Sequence, residues 1–370
     1  MSKRANGEGS IYRRADGRWC ATVTVDGGRR KSFYGKRREE VAHKLAAALK
    51  AWQDGLPLPA EQQTVGQFLT GWLESVRPSL RPRTVESYDL NIRRLLPHVG
   101  RSRLARLTPR AIQSCYATLL EGGLSARSVQ QAHAVLHRAL TQGVQWGLLA
   151  RNPADAVRAP KPRRRDLRTL SAEEAEQLFA TTLREPLHAL WVLLTTTGLR
   201  SGEALGLRWD GVDVIEARLR VTQALQRQRG AGLVFVEPKT ASSRRMVHAS
   251  SRAIAALREH RRVQIEERLA AGPAWDDMGL VFCNEIGHPL DPSFVGRQFH
   301  LALAKAGLPR LRVHDLRHTA ATLLFERGVH PKVVQEMLGH STIALTLDTY
   351  SHVTPALHRE AATQMDLLFG

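Results

Sequence analysis

The chain has 370 residues, of which 43% are hydrophobic and 24% charged, with a net charge of +19. That suits two or three folded domains, each burying its own core; no apolar run nears the ~20 residues of a membrane span and no signal-peptide stretch opens the chain, so no membrane partner is expected. Cys20, Cys115 and Cys283 stand too far apart for a short zinc motif or a disulfide framework, and a reducing cytoplasm is the expected setting.

The charge is uneven: residues 1–165 carry 30 Lys and Arg against 12 Asp and Glu, whereas 166–370 carry 24 against 23. Such a basic half suits a polyanion, because each phosphate contact releases a condensed counterion. A merely solvated basic surface is the plainer alternative. Residues 1–60 predict a small sheet and a helix. Asp-Gly turn signals stand at 16–17 and 26–27, and RWCATVTV between them alternates, with Trp19, Ala21, Val23 and Val25 on one side. KSFYG makes a third strand. From Lys36 the apolar spacing of Val41, Leu45, Ala48, Leu49 and Trp52 is helical and ends at Gly55. A sheet of this kind can lie in a DNA major groove, which is the favoured reading, with a protein-contact module as the alternative.

Pro57 and Pro59 mark a linker, and 63–160 read as helices throughout. TVGQFLTGWLESV, RTVESYDLNIRRLLPHV and TPRAIQSCYATLLEGG give three, the last stopping at Gly122-Gly123. The fourth, from Ser125, places Val129, Ala132, Leu136, Ala139 or Leu140, and Val144 on one stripe. Arg81, Arg83, Arg93 and Arg94 belong to its arginine-rich exterior and are candidates for the DNA backbone. APKPRRR at 159–165 punctuates the chain, and Lys161, Arg163, Arg164 and Arg165 make it a basic hinge or plain linker. Beyond it Ser171 caps a helix with glutamates in its first turn. VDVIEARLRVTQAL, LVFVE and RRMVH are β-rich, with PKTAS as the turn between the last two, and helices return after Ser251. The final PALHREAATQMDLLFG ends on Leu367, Leu368 and Phe369, an apolar tail for its own domain or a neighbouring subunit.

Breaking a phosphodiester without a metal needs cations on the non-bridging oxygens, a nucleophile and a proton for the leaving oxygen. Arginine suits the first task, being permanently charged and bidentate. Arg200 in GLRSGEALGLRW follows the turn Thr197-Gly198-Leu199 at a helix start, where N–H groups favour anions, and Glu203 lies within reach to hold it. His314 and Arg317 in HDLRH are three apart, so a helix sets them on one face. His318 invites a metal reading with His314, but no further ligands have matching spacing, and helix packing suits it better. Leu316, Ala320, Leu323 and Leu324 are its expected buried stripe. Lys239 in PKTASSRRMV sits in a turn after a strand. HPKVVQEMLGH starts a helix at Pro331 and stops it at Gly339, immediately before His340. Tyr350 follows in LDTYSH; its phenol, of pKa ~10, needs nearby cations to become a nucleophile.

In this order the boxes resemble the tyrosine recombinase (phage integrase) family over almost the whole chain. The resemblance implies a multi-domain, mainly α protein with α+β parts: an arm-type DNA-binding domain at 1–60 (three-stranded sheet plus helix), a helical core-site DNA-binding domain at 63–160, and a mixed α+β catalytic domain with a C-terminal tail at 166–370. It implies that Tyr350 attacks the scissile phosphate to give a 3′-phosphotyrosyl intermediate. Arg200, Arg317, His314 and His340 would hold the developing charge, and Lys239 would assist the leaving 5′ oxygen. No cofactor, metal or ATP is expected. The implied partners are double-stranded attachment-site DNA, a homotetramer on that DNA, and an excision factor or host DNA-bending protein. The implied place is the cytoplasm, nucleoid-associated when DNA is bound. Two other readings stay open: a DNA-binding regulator, since 331–350 resembles a helix-turn-helix, and a type IB topoisomerase.

Overall fold

The computed structural model describes residues 9–25, 29–53, 63–162, 168–237, 245–339, 363 and 365–369. The chain forms two compact units, residues 1–164 and 165–370.

In the first unit β1 (Ser10–Arg13), β2 (Trp19–Val25) and β3 (Arg29–Gly35) form an antiparallel sheet in the order β1-β2-β3. Gly17, at φ +81°, lets the first turn close, with its amide on Arg14 O and the Arg18 amide on Asp16 Oδ1. Ala21, Val23 and Phe33 pack against Val41, Leu45 and Ala48 of α1 (Arg38–Gln53), forming one small core. Burial departs from the predicted alternation, because Cys20 and Thr22 on the opposite face are buried too. Cys20 lies in register between Tyr12 and Tyr34, and Thr22 shares a 2.7 Å hydrogen bond with Ser10.

A second core in this unit belongs to α2 (Val65–Val76), α3 (Pro82–Val99), α4 (Pro109–Glu121) and α5 (Ala126–Gln145). Thr64 forms a capping box with Gln67, and Thr108 and Ser125 cap α4 and α5 through their hydroxyls. The α5 stripe is buried at Val129, Ala132, Leu136, Ala139 and Leu140, but its last member is Gly143 rather than Val144. A Cβ on Gly143 would come within 3.0 Å of the Phe68 ring, so the helix approaches α2 there through bare backbone.

The second unit is arranged around α7 (His188–Thr197), which is buried along nearly its whole length and packs against α6 (Ala172–Thr182), α9 (Ser251–Ala271) and α11 (Asp315–Glu326). Its apolar run from Ala189 to Leu194 covers every side of the helix and is stable only in a core, and Thr195, Thr196 and Thr197 turn their hydroxyls onto helix carbonyls. The short α8 (Ser201–Leu205) follows it, and α10 (Pro292–Lys305) and α12 (Pro331–Leu338) complete the helices. Ser171 caps α6 in a capping box with Glu174, as its sequence predicts. β4 (Val212–Asp213), β5 (Arg218–Val221) and β8 (Arg245–His248) form one sheet, and β6 (Ala224–Gln228) with β7 (Gly232–Val236) forms a separate antiparallel pair. This corrects the expected hairpin of LVFVE with RRMVH. β7 pairs with β6 through the tight turn at Gly230, and β8 pairs with β5. The buried face of α11 is also wider than expected: Ala321, Thr322 and Phe325 are buried, while Leu323 and Leu324 are only half-buried.

Trp191 is fully buried with its ring centroid 5.0 Å from that of Phe299. Trp191→Ala removes the largest side chain of α7 and is expected to cost about 3–5 kcal/mol of unfolding free energy, read from urea denaturation of the full chain.

Candidate active site

The turn after α7 begins the site. Gly198 caps that helix in the left-handed region, at φ +64°, and a Cβ there would meet Leu338 Cδ2 at 2.5 Å and Ala320 Cβ at 3.4 Å. The chain therefore bends where α11 and α12 both press on it, and only glycine fits. Arg317, on the first turn of α11, donates from Nη1 to Gly198 O at 2.7 Å and is only 3% exposed. Two residues beyond Gly198, Arg200 stands at the N-terminus of α8.

Glu203 binds these pieces together. Its Oε2 accepts the Arg200 amide at 3.0 Å and its Oε1 accepts Arg200 Nη1 at 2.7 Å. The helix-start amide is thus taken by a carboxylate rather than left open for a phosphate, and the anion-binding reading passes to the Arg200 guanidinium. Arg245, the first residue of β8, donates Nη1 and Nη2 to the same carboxylate at 3.2 and 3.0 Å. The side chains of Glu203 and Arg245 are 4% and 8% exposed, against 39% for Arg200. Burial alone would raise the Glu203 pKa, but hydrogen bonds and charge from Arg245 and Arg200 outweigh it and hold it below the ordinary carboxylate value.

The end of α12 arrives at the same place. Arg200 Nη2 donates to Gly339 O at 3.2 Å, and Arg245 Nε donates to Met337 O at 2.9 Å. Helices leave their last carbonyls unpaired, and the two guanidinium groups satisfy them. Gly339 is the α12 stop, at φ +67°, and immediately precedes His340. Arg200, Glu203 and the chain just before His340 are thereby gathered into one hydrogen-bonded cluster, and Arg317 is tied to the Gly198 turn that leads into it.

His314 is the residue before α11, three positions from Arg317, and its ring stands edge-on to that of His318 with centroids 5.2 Å apart. Although the side chain keeps solvent contact, loss of water around the ring, then the charges of His318 and Arg317, push its pKa down to about 4. His318 is lowered too, first by burial. Asp315 beside them is paired with Arg312 at 2.7 Å. Among the described residues no three His, Cys, Asp or Glu side chains gather to hold a metal ion, and no helix is long and apolar enough to cross a membrane.

Lys239, His340 and Tyr350 lie outside the described residues, as do Arg163, Arg164 and Arg165. Arg81, Arg83 and Arg93 are exposed around α3, Arg93 in an ion pair with Asp89. Arg94 is half-buried and donates to Asn91 Oδ1, and Lys161 is exposed. Sequence reasoning passed over Arg245. It stands in the quoted SSRRMV run, but nothing in that run distinguishes it from Arg244 until β8 turns it inward.

The family model described as "Phage integrase family" matches residues 168–356, and "Phage integrase, N-terminal SAM-like domain" matches 64–120. A tyrosine recombinase XerC-like protein of Caldanaerobacter subterraneus subsp. tengcongensis is 32% identical over 92% of both chains. The chain belongs to the phage integrase family of tyrosine recombinases. Site-specific DNA recombination by an integrase is therefore its function. An integrase of Saccharopolyspora erythraea is 26% identical over 100% of this recombinase and 98% of its own chain. The fold resembles that of the Tn1549 transposon integrase, solved in complex with transposon right-end DNA, with a TM-score of 0.71 and 24% identity over 83% of this chain and 100% of that one.

Two outcomes follow from this electrostatics. Glu203→Ala leaves the Arg245 charge buried without its carboxylate, and a loss of about 3–5 kcal/mol is expected in chemical denaturation. Stability should also fall with acid. The unfolded chain protonates histidine near pH 6.5, whereas folded His314 does so only at about 4. Between these values the unfolded state holds more protons, so stability is present above the window and is lost as pH falls through it. His318, His188, His260 and His133 are lowered in the same direction, each first by burial. The melting temperature should drop steadily from pH 7 to pH 4.5, with a shallower slope in His314→Gln.

Proposed function

We propose that this recombinase cuts and rejoins double-stranded attachment-site DNA through Tyr350, without metal or ATP, to integrate or excise a phage or other integrative element. The observation that carries the reading is the cluster in which Arg200, Glu203, Arg317 and Gly339 O are joined directly by hydrogen bonds or through the Gly198 turn. Two guanidinium groups fixed at one place are what a phosphorane-like transition state, rich in negative charge, requires. Tyr350 Oη attacks the scissile phosphorus, the bond to the 5′ oxygen breaks, and a 3′-phosphotyrosyl ester and a 5′-hydroxyl result. Lys239 gives the departing oxygen its proton. His314, neutral at neutral pH, can accept the tyrosine proton, and His340 shares with Arg200 and Arg317 the charge on the non-bridging oxygens. Attack by a 5′-hydroxyl of the partner duplex reverses these steps, so the phosphodiester energy is conserved.

In this reading residues 1–60 bind arm-type sites, 63–160 bind the core site, and 166–370 carry the chemistry. Arg81, Arg83, Arg93, Arg94, Lys161, Arg163, Arg164 and Arg165 run along phosphates. Four copies assemble on DNA in the cytoplasm, with an excision factor or host DNA-bending protein setting direction. The relatives named integrases, and the transposon-end DNA bound by the Tn1549 protein, support the substrate class.

The test incubates the full chain with supercoiled plasmid carrying the DNA that flanks its own gene, in EDTA, and traps adducts with SDS. Wild type should form a protease-sensitive 3′ adduct and Tyr350→Phe none, with retained binding. Tight site-specific binding without an adduct in wild type would instead favour a DNA-binding regulator.

A further inference from the structure

Arg245 does more than neutralise Glu203. Its guanidinium is planar, and it divides its donors between two elements far apart in sequence: Nη1 and Nη2 serve the Glu203 carboxylate beside Arg200, and Nε serves Met337 O in the last turn of α12. Gly339 lies flat against this group, since a Cβ there would stand 3.0–3.2 Å from Arg245 Nη1, Cζ and Nε. The arginine itself is fixed by its strand, where it pairs in register with Val221 of β5. One rigid fork thus sets the distance between the Arg200–Glu203 pair and the residue that leads into His340. A lysine supplies one ammonium and cannot hold both in a fixed plane.

We infer that Arg245 is a positioning residue for strand cleavage, holding the α12 terminus in fixed relation to Arg200. This rests on the catalytic role proposed above for Arg200. Neutralising Glu203 alone would require nothing at Met337 O or Gly339. A buried ion pair whose only purpose is to satisfy its own charges can be replaced by neutral groups at little cost.

The test uses the full-length protein on a nicked core-site duplex whose cleaved end diffuses away, so that one turnover accumulates as covalent adduct. Wild type, Arg245→Lys and the charge-free pair Glu203→Gln/Arg245→Gln are compared for adduct rate constant, final adduct amplitude, duplex Kd, and hydrogen exchange across 331–339. Both variants should bind duplex within about twofold of wild type and reach its amplitude, but form adduct roughly 10- to 100-fold more slowly. Exchange at the α12 terminus should rise in step. A misfolded fraction would lower the amplitude and leave the rate constant unchanged. Either variant cleaving at the wild-type rate, or slowing without loss of protection at α12, overturns the inference. Should wild type itself give no adduct, the Tyr350 mechanism fails, and this role for Arg245 fails with it.

Discussion

An ionised carboxylate almost wholly removed from water must be surrounded by donors, and in the second unit Glu203 sets that requirement. Its partners come from separate stretches of chain: the backbone and side chain of Arg200 after α7, and the guanidinium of Arg245 at the head of β8. Buried ion pairs of this kind add little net stability over an apolar substitute, but removing one partner is severe. The arrangement therefore contributes location more than stability. It places a half-exposed arginine, Arg200, beside a buried one, Arg245.

The carbonyl oxygens around this cluster are as informative as the charges. Gly198 O, Met337 O and Gly339 O each lie at or near a helix C-terminus, where backbone acceptors go unpaired, and each takes a guanidinium N–H. The arginines thus lock helix ends together while remaining charged. Two of those ends close through glycine in the left-handed region, because at Gly198 the neighbouring Leu338 and at Gly339 the Arg245 guanidinium occupy the space of a side chain. Arg317, bonded to Gly198 O and buried in α11, has little freedom to move. In the role proposed for it, such a preorganised cation would need little reorganisation when charge develops on the phosphate.

The same crowding explains the histidines. Partly stripped of water and placed beside His318 and Arg317, His314 has its pKa pushed down to about 4. A phosphate bound nearby would reverse part of that repulsion. That response to a nearby anion fits the proton-transfer role proposed for His314.

Much of the fold was legible in local chemistry. The turn at Gly17, the cap at Ser171 and the stop at Gly339 depend on interactions within a few residues, so their sequences determine them. The spacing of His314 and Arg317, and the Gly198 turn before Arg200, were equally readable, because helix periodicity and a left-handed glycine are local facts. Strand partnership was not: β7 and β8 are neighbours in sequence yet pair with β6 and β5, since registers follow which faces the core can bury. Nor could sequence tell that Arg317 is buried or that Arg245 turns inward to hold α12, although Glu203 was readable as a group within reach of Arg200. Those outcomes depend on groups as much as 139 residues apart, as in the bond from Arg200 to Gly339 O. Long-range satisfaction of buried charges and helix-end carbonyls is a property of the packed chain, and only the tertiary structure decides it.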